Sequence, residues 1–197
     1  LTVFAYTAPF WVAILVPIWV PSEKLNKVQW AGLILAFGGV ILALLDGLVS
    51  TSSLHWKGDL LALAAGLSWG LTTVVIKTTV LNKMSPEKLL FYQVAMSTIS
   101  LPFLSLALGE SWTMELTTFS VSSLIIQTAL GAFISYLAWM WLLSRYPATK
   151  MSGFVFLTPV AAVMVGNLWL HEAITLPLIG GLVLVAIGMI LVNRKPS

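Results

Sequence analysis

Long apolar runs, separated by short polar segments, constrain this chain more than any other feature. They lie near residues 1–20, 28–47, 58–80, 87–108, 120–144, 150–170 and 174–193. About 20 apolar residues are what an α-helix needs to cross the hydrocarbon core of a bilayer. Only 9% of the residues are charged, too few to cover a water-soluble domain of this size. The pattern predicts seven transmembrane segments.

The lipid environment then decides what these segments fold into. Backbone amides have no water to bond with inside a bilayer, so an open sheet edge is not tolerated there. The runs are also too long for strands of a buried sheet. We therefore predict an all-α polytopic membrane protein, a helical bundle of seven transmembrane helices.

The basic residues of the loops predict how the bundle is oriented. When alternate loops are counted, one side holds only Lys57. The other side holds Lys24, Lys27, Lys77, Lys83, Lys88, Arg145, Lys150, Arg194 and Lys195. Loops rich in lysine and arginine stay in the cytoplasm. This asymmetry predicts a cytoplasmic C-terminus.

The same residues argue against several function classes. Basic side chains scattered among loops do not make a nucleic-acid surface. The sequence has no cysteine, and it has neither a phosphate-binding loop nor a nucleophile paired with a base in a span. We expect no enzyme activity, no cofactor and no metal. The expected partners are a small-molecule substrate and the lipid bilayer.

An internal repeat links the two ends of the chain. Ala8-Pro9-Phe10, Glu23, Gly32-Leu33-Ile34-Leu35 and Gly39-Val40-Ile41-Leu42 recur as Thr158-Pro159-Val160, Glu172, Gly181-Leu182-Val183-Leu184 and Gly188-Met189-Ile190-Leu191. From the glutamates onward the two copies are 149 positions apart, as in 172 minus 23. The predicted orientation places the two glutamates on opposite sides of the membrane. Inverted repeats of this kind are typical of secondary transporters, whose substrate site lies at the repeat interface.

The two copies differ in what precedes them. Three spans, within 58–144, come before the second copy and none before the first. Five spans per repeat would make ten, so we expect about three further N-terminal helices. The predicted organisation is two helices of a first repeat in 1–47, an external linker in 48–57, a second five-helix repeat in 58–193 and a cytoplasmic tail in 194–197.

Further landmarks carry a resemblance to a known family. They are Gly58-Asp59-Leu60-Leu61-Ala62 with Ser68-Trp69, and then Leu130-Gly131, Tyr136, Trp139, Arg145, Pro147-Ala148, Phe156-Leu157-Thr158-Pro159 and Glu172. In order and spacing the chain resembles the EamA-type transporters of the drug/metabolite transporter superfamily, although Pro21-Ser22 precedes Glu23 where the family more often has Leu-Gly. The resemblance implies a ten-helix protein of two inverted five-helix repeats, of which this chain matches helices four to ten, in a bacterial inner membrane.

Candidate substrate-binding residues are aromatic, hydroxyl, amide or thioether side chains on the predicted spans. Such groups suit a cavity for an amphipathic organic solute. The aromatic side chains among them could instead pack against other helices or lie at the lipid–water interface, and this alternative stays open. Their placement between spans 1, 3, 5 and 6 follows from the resemblance. They are Tyr6, Phe10, Trp69, Thr73, Tyr136, Met140, Phe156 and Asn167.

Two prolines and two glutamates are candidates for structural or gating roles. Pro9 and Pro159 each remove a helix hydrogen bond, so they break or kink their helices, and the freed carbonyls either line a cavity or belong to a static kink. Glu23 and Glu172 precede helices and are expected to cap them, while gating or proton binding stays open for Glu172.

Small residues recur at four-residue spacing and predict close helix packing. The sets are Ala62, Gly66 and Gly70, then Gly32 with Ala36, Gly39 with Ala43, and Gly131 with Ser135.

The predicted function is a permease that moves a small organic metabolite, an amino acid or a drug-like solute, across the inner membrane by alternating access, with efflux as the direction. No charged residue is centred in a span, which favours facilitated movement of a neutral or zwitterionic solute. The alternative is a non-transporting membrane subunit or truncated paralogue that packs with a partner. Both a homo-oligomer and a protein completed by further N-terminal helices stay open.

Overall fold

The structure is a computed structural model, and it describes residues 2–44, 56–110, 116–159, 161–162, 165–166 and 175–194. In chain order its α-helices are α1 Thr2–Ala5, α2 Ala8–Trp19, α3 Lys27–Ala43, α4 Trp56–Thr78, α5 Pro86–Ala107, α6 Thr118–Ile126, α7 Ser135–Arg145, α8 Ala148–Gly153 and α9 Leu176–Asn193. A π-helical stretch, Gln127–Ile134, joins α6 to α7. Two compact units form: unit 1 holds Leu1–Thr79 with Tyr146–Ser197, and unit 2 holds Val80–Arg145.

The predicted fold class is confirmed, because the described part of the chain is helical and contains no strand. Four helices are long and apolar enough to cross a bilayer: Lys57–Thr78, Pro86–Ala107, Thr118–Arg145 and Leu176–Asn193. Val3–Trp19 and Lys27–Ala43 are shorter apolar helices. With the segment that begins at Ala148, they make the seven helical segments that the sequence predicts.

Among the described residues of unit 1, the closest packing is an antiparallel contact between α3 and α9. Gly32 lies against Gly188, and Gly39 lies against Gly181. A Cβ atom on Gly39 would lie 2.6 Å from the carbonyl oxygen of Gly181 and 2.8 Å from the amide nitrogen of Val185. Only a residue without a side chain allows two helix backbones to approach this closely. The packing role predicted for Gly32 and Gly39 is confirmed.

Helices α2 and α4 pack in a similar way through the glycines of α4. A Cβ on Gly66 would lie 2.7 Å from Thr7 Oγ1, and one on Gly70 would lie 2.7 Å from Trp11 Cβ. The predicted packing role of Gly66 and Gly70 is thus confirmed. Gly131 of unit 2 differs, because among the described atoms only Gln127 Cγ comes within 4 Å of such a Cβ, at 3.8 Å. The close approach predicted at Gly131 is wrong for the described residues.

Polar side chains fix the start of α3. The Asn26 side chain accepts a hydrogen bond from the Gln29 amide, and Gln29 Oε1 accepts one from the Asn26 amide, both near 3 Å. This reciprocal capping box satisfies two amides that the first turn of a helix leaves free. Buried Gln29 also donates through Nε2 to the carbonyl oxygen of Arg194, at 3.0 Å. The first turn of α3 is therefore tied to the C-terminal end of α9.

In unit 2, α5 begins at Pro86 and packs against α7. Glu87 lies in the first turn of this helix. The free amides at the start of a helix favour an acidic side chain there.

We expect Gly39→Ala to lower the stability of the protein. The new methyl group meets backbone atoms of α9, and overpacking of this kind costs about 1–3 kcal/mol. Gly38→Ala is the matched control, because nothing lies within 4 Å of its Cβ and alanine favours a helix by about 0.5–1 kcal/mol over glycine. Thermal unfolding in detergent measures both. Equal melting temperatures for the two variants would contradict the glycine contact.

Candidate functional site

Aromatic side chains from three segments meet in the core of unit 1. Phe10 of α2 lies 5.2 Å from Phe37 of α3 and 6.4 Å from Phe156, measured between ring centroids. Phe37 lies 6.2 Å from Phe156, and Trp30 lies 6.4 Å from Phe10. Phe156 is fully buried, whereas Phe10 is only partly buried. Three of the predicted substrate-binding residues thus come together, because Tyr6 packs against the same cluster.

The helix is interrupted just before Pro9, as the sequence predicted. Helix α1 ends at Ala5, and α2 begins at Ala8. Proline at position 9 has no amide to donate to the carbonyl of residue 5. That carbonyl oxygen lies against α4, 3.0 Å from where a Cβ of Gly66 would stand. In this conformation the freed carbonyl contacts the neighbouring helix, which corresponds to the packing alternative.

The segment before Pro159 also departs from a regular α-helix. Helix α8 passes into a 3₁₀ turn at Phe154–Leu157. The sequence predicted a break or kink at this proline, and the turn lies directly before it. Phe156, which the turn carries, fills the aromatic cluster.

Glu23 does not cap the helix that follows it, so that expectation is wrong. Asn26 is the N-cap of α3. Buried Glu23 instead accepts a hydrogen bond from the backbone amide of Thr149, at 3.1 Å on Oε2. Its other oxygen lies 3.5 Å from Lys77 Nζ, which also donates to the Tyr146 carbonyl oxygen at 2.9 Å. The carboxylate therefore joins the ends of α2, α4 and α8.

Two candidates lie on α4 with different surroundings. Trp69 is 38% exposed. Thr73 is buried, and its hydroxyl donates to the Trp69 carbonyl oxygen at 3.3 Å. A threonine bonded to its own helix is satisfied without a solute. Only Trp69 of this pair offers an accessible side chain in this conformation.

Unit 2 contains an open groove of about 470 Å³. It is lined by Leu90, Gln93, Val94, Ser97, Thr98, Leu101, Pro102, Ala132 and Tyr136. Four of these side chains carry hydrogen-bonding groups and none carries a formal charge. An apolar wall with a few uncharged polar groups is suited to a small amphipathic molecule.

Tyr136 is the predicted site residue that lines this groove. Met140, one helical turn later on α7, is 2% exposed and does not line it. Asn167 and Glu172 lie outside the described residues. The roles of these four residues stay predictions.

Sequence reasoning missed some of these residues and misjudged others. Gln93 lines the groove but was not among the predicted site residues, although its spacing from Ser97 places both on one face of α5. Lys77 was counted only among the basic residues predicted to lie on the cytoplasmic side. Its partner Glu23 lies 54 positions away, as 77 minus 23, and nothing in a single sequence links the two.

The described geometry defines a multi-pass helical membrane protein with an uncharged polar groove. Residues 56–194 match the family model of the EamA-like transporter family. The chain belongs to this family, whose members are transporters and not enzymes.

Curated relatives agree with this assignment. The uncharacterized transporter YoaV of Bacillus subtilis is 28% identical over 95% of this chain and 64% of its own length. The probable amino-acid metabolite efflux pump of Salmonella typhimurium is 28% identical over 85% of this chain and 58% of its own length. The chain thus spans about three fifths of the length of these relatives. No solved structure matches the chain significantly.

We expect Phe156→Ala to destabilise the protein strongly. Removing a fully buried aromatic side chain leaves a cavity and costs about 3–5 kcal/mol. Phe154→Ala is the matched control, because Phe154 is two positions away and 41% exposed. Denaturation in detergent, followed by tryptophan fluorescence, compares the two. If Phe156→Ala melted like Phe154→Ala, the ring would not belong to the core.

Proposed function

We propose that the protein is a permease for a small organic solute without net charge. The observation that carries this proposal is the groove of unit 2, whose amide and hydroxyl groups lie in an apolar wall. A solute with hydrogen-bonding groups gains partners there, whereas a net charge would lose its hydration and meet no opposite charge in the lining. Amino-acid metabolites, including zwitterions with internally balanced charge, and uncharged drug-like molecules fit this description.

Alternating access between two inverted repeats is the proposed mechanism. The contact of α3 with α9 supports a two-fold relation between the repeats. An offset of 149 positions takes Gly32 to Gly181 and Gly39 to Gly188. The contact of Gly32 with Gly188 thus corresponds, with the two repeats interchanged, to the contact of Gly181 with Gly39. Two copies related by a two-fold axis produce such exchanged contacts.

Efflux is the proposed direction, and it rests on the relatives. Proteins of Salmonella typhimurium and Escherichia coli that are similar to this chain carry the name probable amino-acid metabolite efflux pump. Each is 28% identical to this chain over 85% of its length. We extend the activity to this chain as a hypothesis about the substrate class.

Transport is expected to depend on Tyr136. Tyr136→Ala should lower export of the transported solute about tenfold, because it removes both a hydrogen-bonding group and an aromatic surface from the groove. Tyr136→Phe should retain more activity, since only the hydroxyl is lost. Export is measured as the fall of internal solute in cells loaded with a panel of amino acids and uncharged analogues.

Tyr92→Ala is the matched control for this test. Tyr92 is an exposed tyrosine of α5 outside the groove lining. Equal export by the Tyr136→Ala and Tyr92→Ala variants would refute the groove as the substrate site. If the unmodified protein exported no member of the panel, the alternative of a non-transporting subunit would be favoured.

The proposed location is the bacterial inner membrane, with the C-terminus in the cytoplasm. In unit 1, the contacts of Glu23 with Lys77 and of Gln29 with Arg194 gather residues from three of the loops and ends that the charge count assigns to the cytoplasm. Lysine and arginine favour that side of the membrane.

Single cysteines can test this orientation, because the chain contains no cysteine of its own. A membrane-impermeant maleimide should label Ser22→Cys in inside-out vesicles and Lys57→Cys in right-side-out vesicles. Both positions are exposed in the structure. Labelling of the two cysteines from the same side, or from the opposite sides to those stated, would overturn the proposed orientation.

A further inference from the structure

A buried ion pair lies at one end of unit 1. Side chains of Glu23 and Lys77 are only 6% and 12% exposed, and their charged atoms are 3.5 Å apart. Both groups also use backbone partners on the segment around α8, the amide of Thr149 and the carbonyl of Tyr146. We call these four residues the latch. It connects the ends of three helices that are far apart in the sequence.

Each half of the latch needs the other. Removing one partner of a buried pair leaves an unpaired charge in a poorly solvated place, which is strongly unfavourable. The pair can separate at low cost only if water reaches both groups. Separation of the latch and hydration of this end of unit 1 are therefore coupled.

The α3 and α9 pair beside the latch has a different kind of contact. Glycines bring its two backbones together, and Gln29 bonds the Arg194 carbonyl at the end of α9. A close-packed backbone contact does not loosen by degrees, because a small separation already forfeits its dispersion energy. The ends of α2, α4 and α8 are instead held by polar contacts that water can replace.

Helix α2 is a segment of unit 1 with interrupted backbone bonding. It starts after the break before Pro9, and it contains Pro17 within its last turns. A proline inside a helix removes a hydrogen bond and permits bending. Glu23 follows α2 by a single 3₁₀ turn, Pro21–Glu23, so bending of α2 displaces the carboxylate directly.

We propose that Glu23 is the gating residue of this end of the protein: its contacts with Lys77 and Thr149 hold the entrance shut, and they break when the transporter opens there. The proposal rests on the proposed transport function, since it assigns a role within the alternating-access cycle. It assigns Lys77 as the partner from which Glu23 separates when the latch opens.

Accessibility of a buried cysteine tests the latch without any substrate. Val16 of α2 is fully buried, so Val16→Cys provides a probe in a chain without other cysteines. Glu23→Gln keeps the size of the side chain and an oxygen for the Thr149 amide, but it loses the charge. We expect Glu23→Gln and Lys77→Gln each to speed maleimide labelling of the probe about tenfold, because each change removes one charge of the buried ion pair.

Lys24→Gln is the matched control, because it removes a neighbouring exposed charge and should leave the labelling rate unchanged. Gel filtration in detergent verifies that each variant stays folded and monodisperse. The Glu23→Gln variant with Val16 intact contains no cysteine and should not be labelled, which verifies the probe. Unchanged labelling in both latch variants, or equal acceleration by Lys24→Gln, would overturn the gating role.

The outcomes also separate this proposal from the proposed function. Faster labelling in the latch variants without export of any solute would support the latch and count against transport. Export by the unmodified protein with unchanged labelling in both latch variants would support transport and refute the latch. Methionine at positions 23 and 77 together removes both charges at once. If Glu23 and Lys77 act as a pair, this double variant should restore the slow labelling of the Val16→Cys probe.

Discussion

Direct contact between the backbones of α3 and α9 is the constraint on which the rest of unit 1 depends. Lipid supplies no hydrophobic force between helices, so close packing and polar contacts must hold them together. Gly32, Gly39, Gly181 and Gly188 remove the side chains that would keep the two helices apart. The core cluster then forms around this pair, with Leu33 and Val185 from its two helices and Phe156 from the 3₁₀ turn.

Unit 1 thus combines two kinds of cohesion. The glycine contact is short-ranged and depends on close packing of backbone atoms, whereas the contacts of Glu23 are electrostatic and depend on the exclusion of water. A transporter needs both, because one part must keep its shape while another part separates and closes again. The two kinds of contact also differ in position: the glycines lie along the helices, and the charged residues lie at the helix ends.

Much of the fold was predictable from sequence because lipid leaves few alternatives. Apolar runs of sufficient length gave the helices, and the spacing of Gly66 from Gly70 gave a packing face. Side-chain partners were not predictable in the same way. The carboxylate of Glu23 was expected to serve the next helix, but Asn26 already fills that role and the carboxylate bonds Thr149 instead. For Phe10 and Phe156, period and residue type could not separate a core ring from a cavity-lining ring.

The π-helical stretch Gln127–Ile134 has a consequence for how unit 2 tolerates changes in length. Each of its wide turns holds one residue more than an α-turn, because a π-helix bonds residue i to i+5. If one residue is lost there, a π-turn can become an α-turn. The residues of α6 and α7 then keep the same orientation around their helix axes, and the flanking loops are unchanged. Helix α3 has no π-turn, so a deletion within it would rotate every following residue of the helix out of its contact with α9. Unit 2 can therefore accommodate the loss of one residue at this stretch, whereas the glycine contacts of unit 1 hold α3 and α9 to a fixed register.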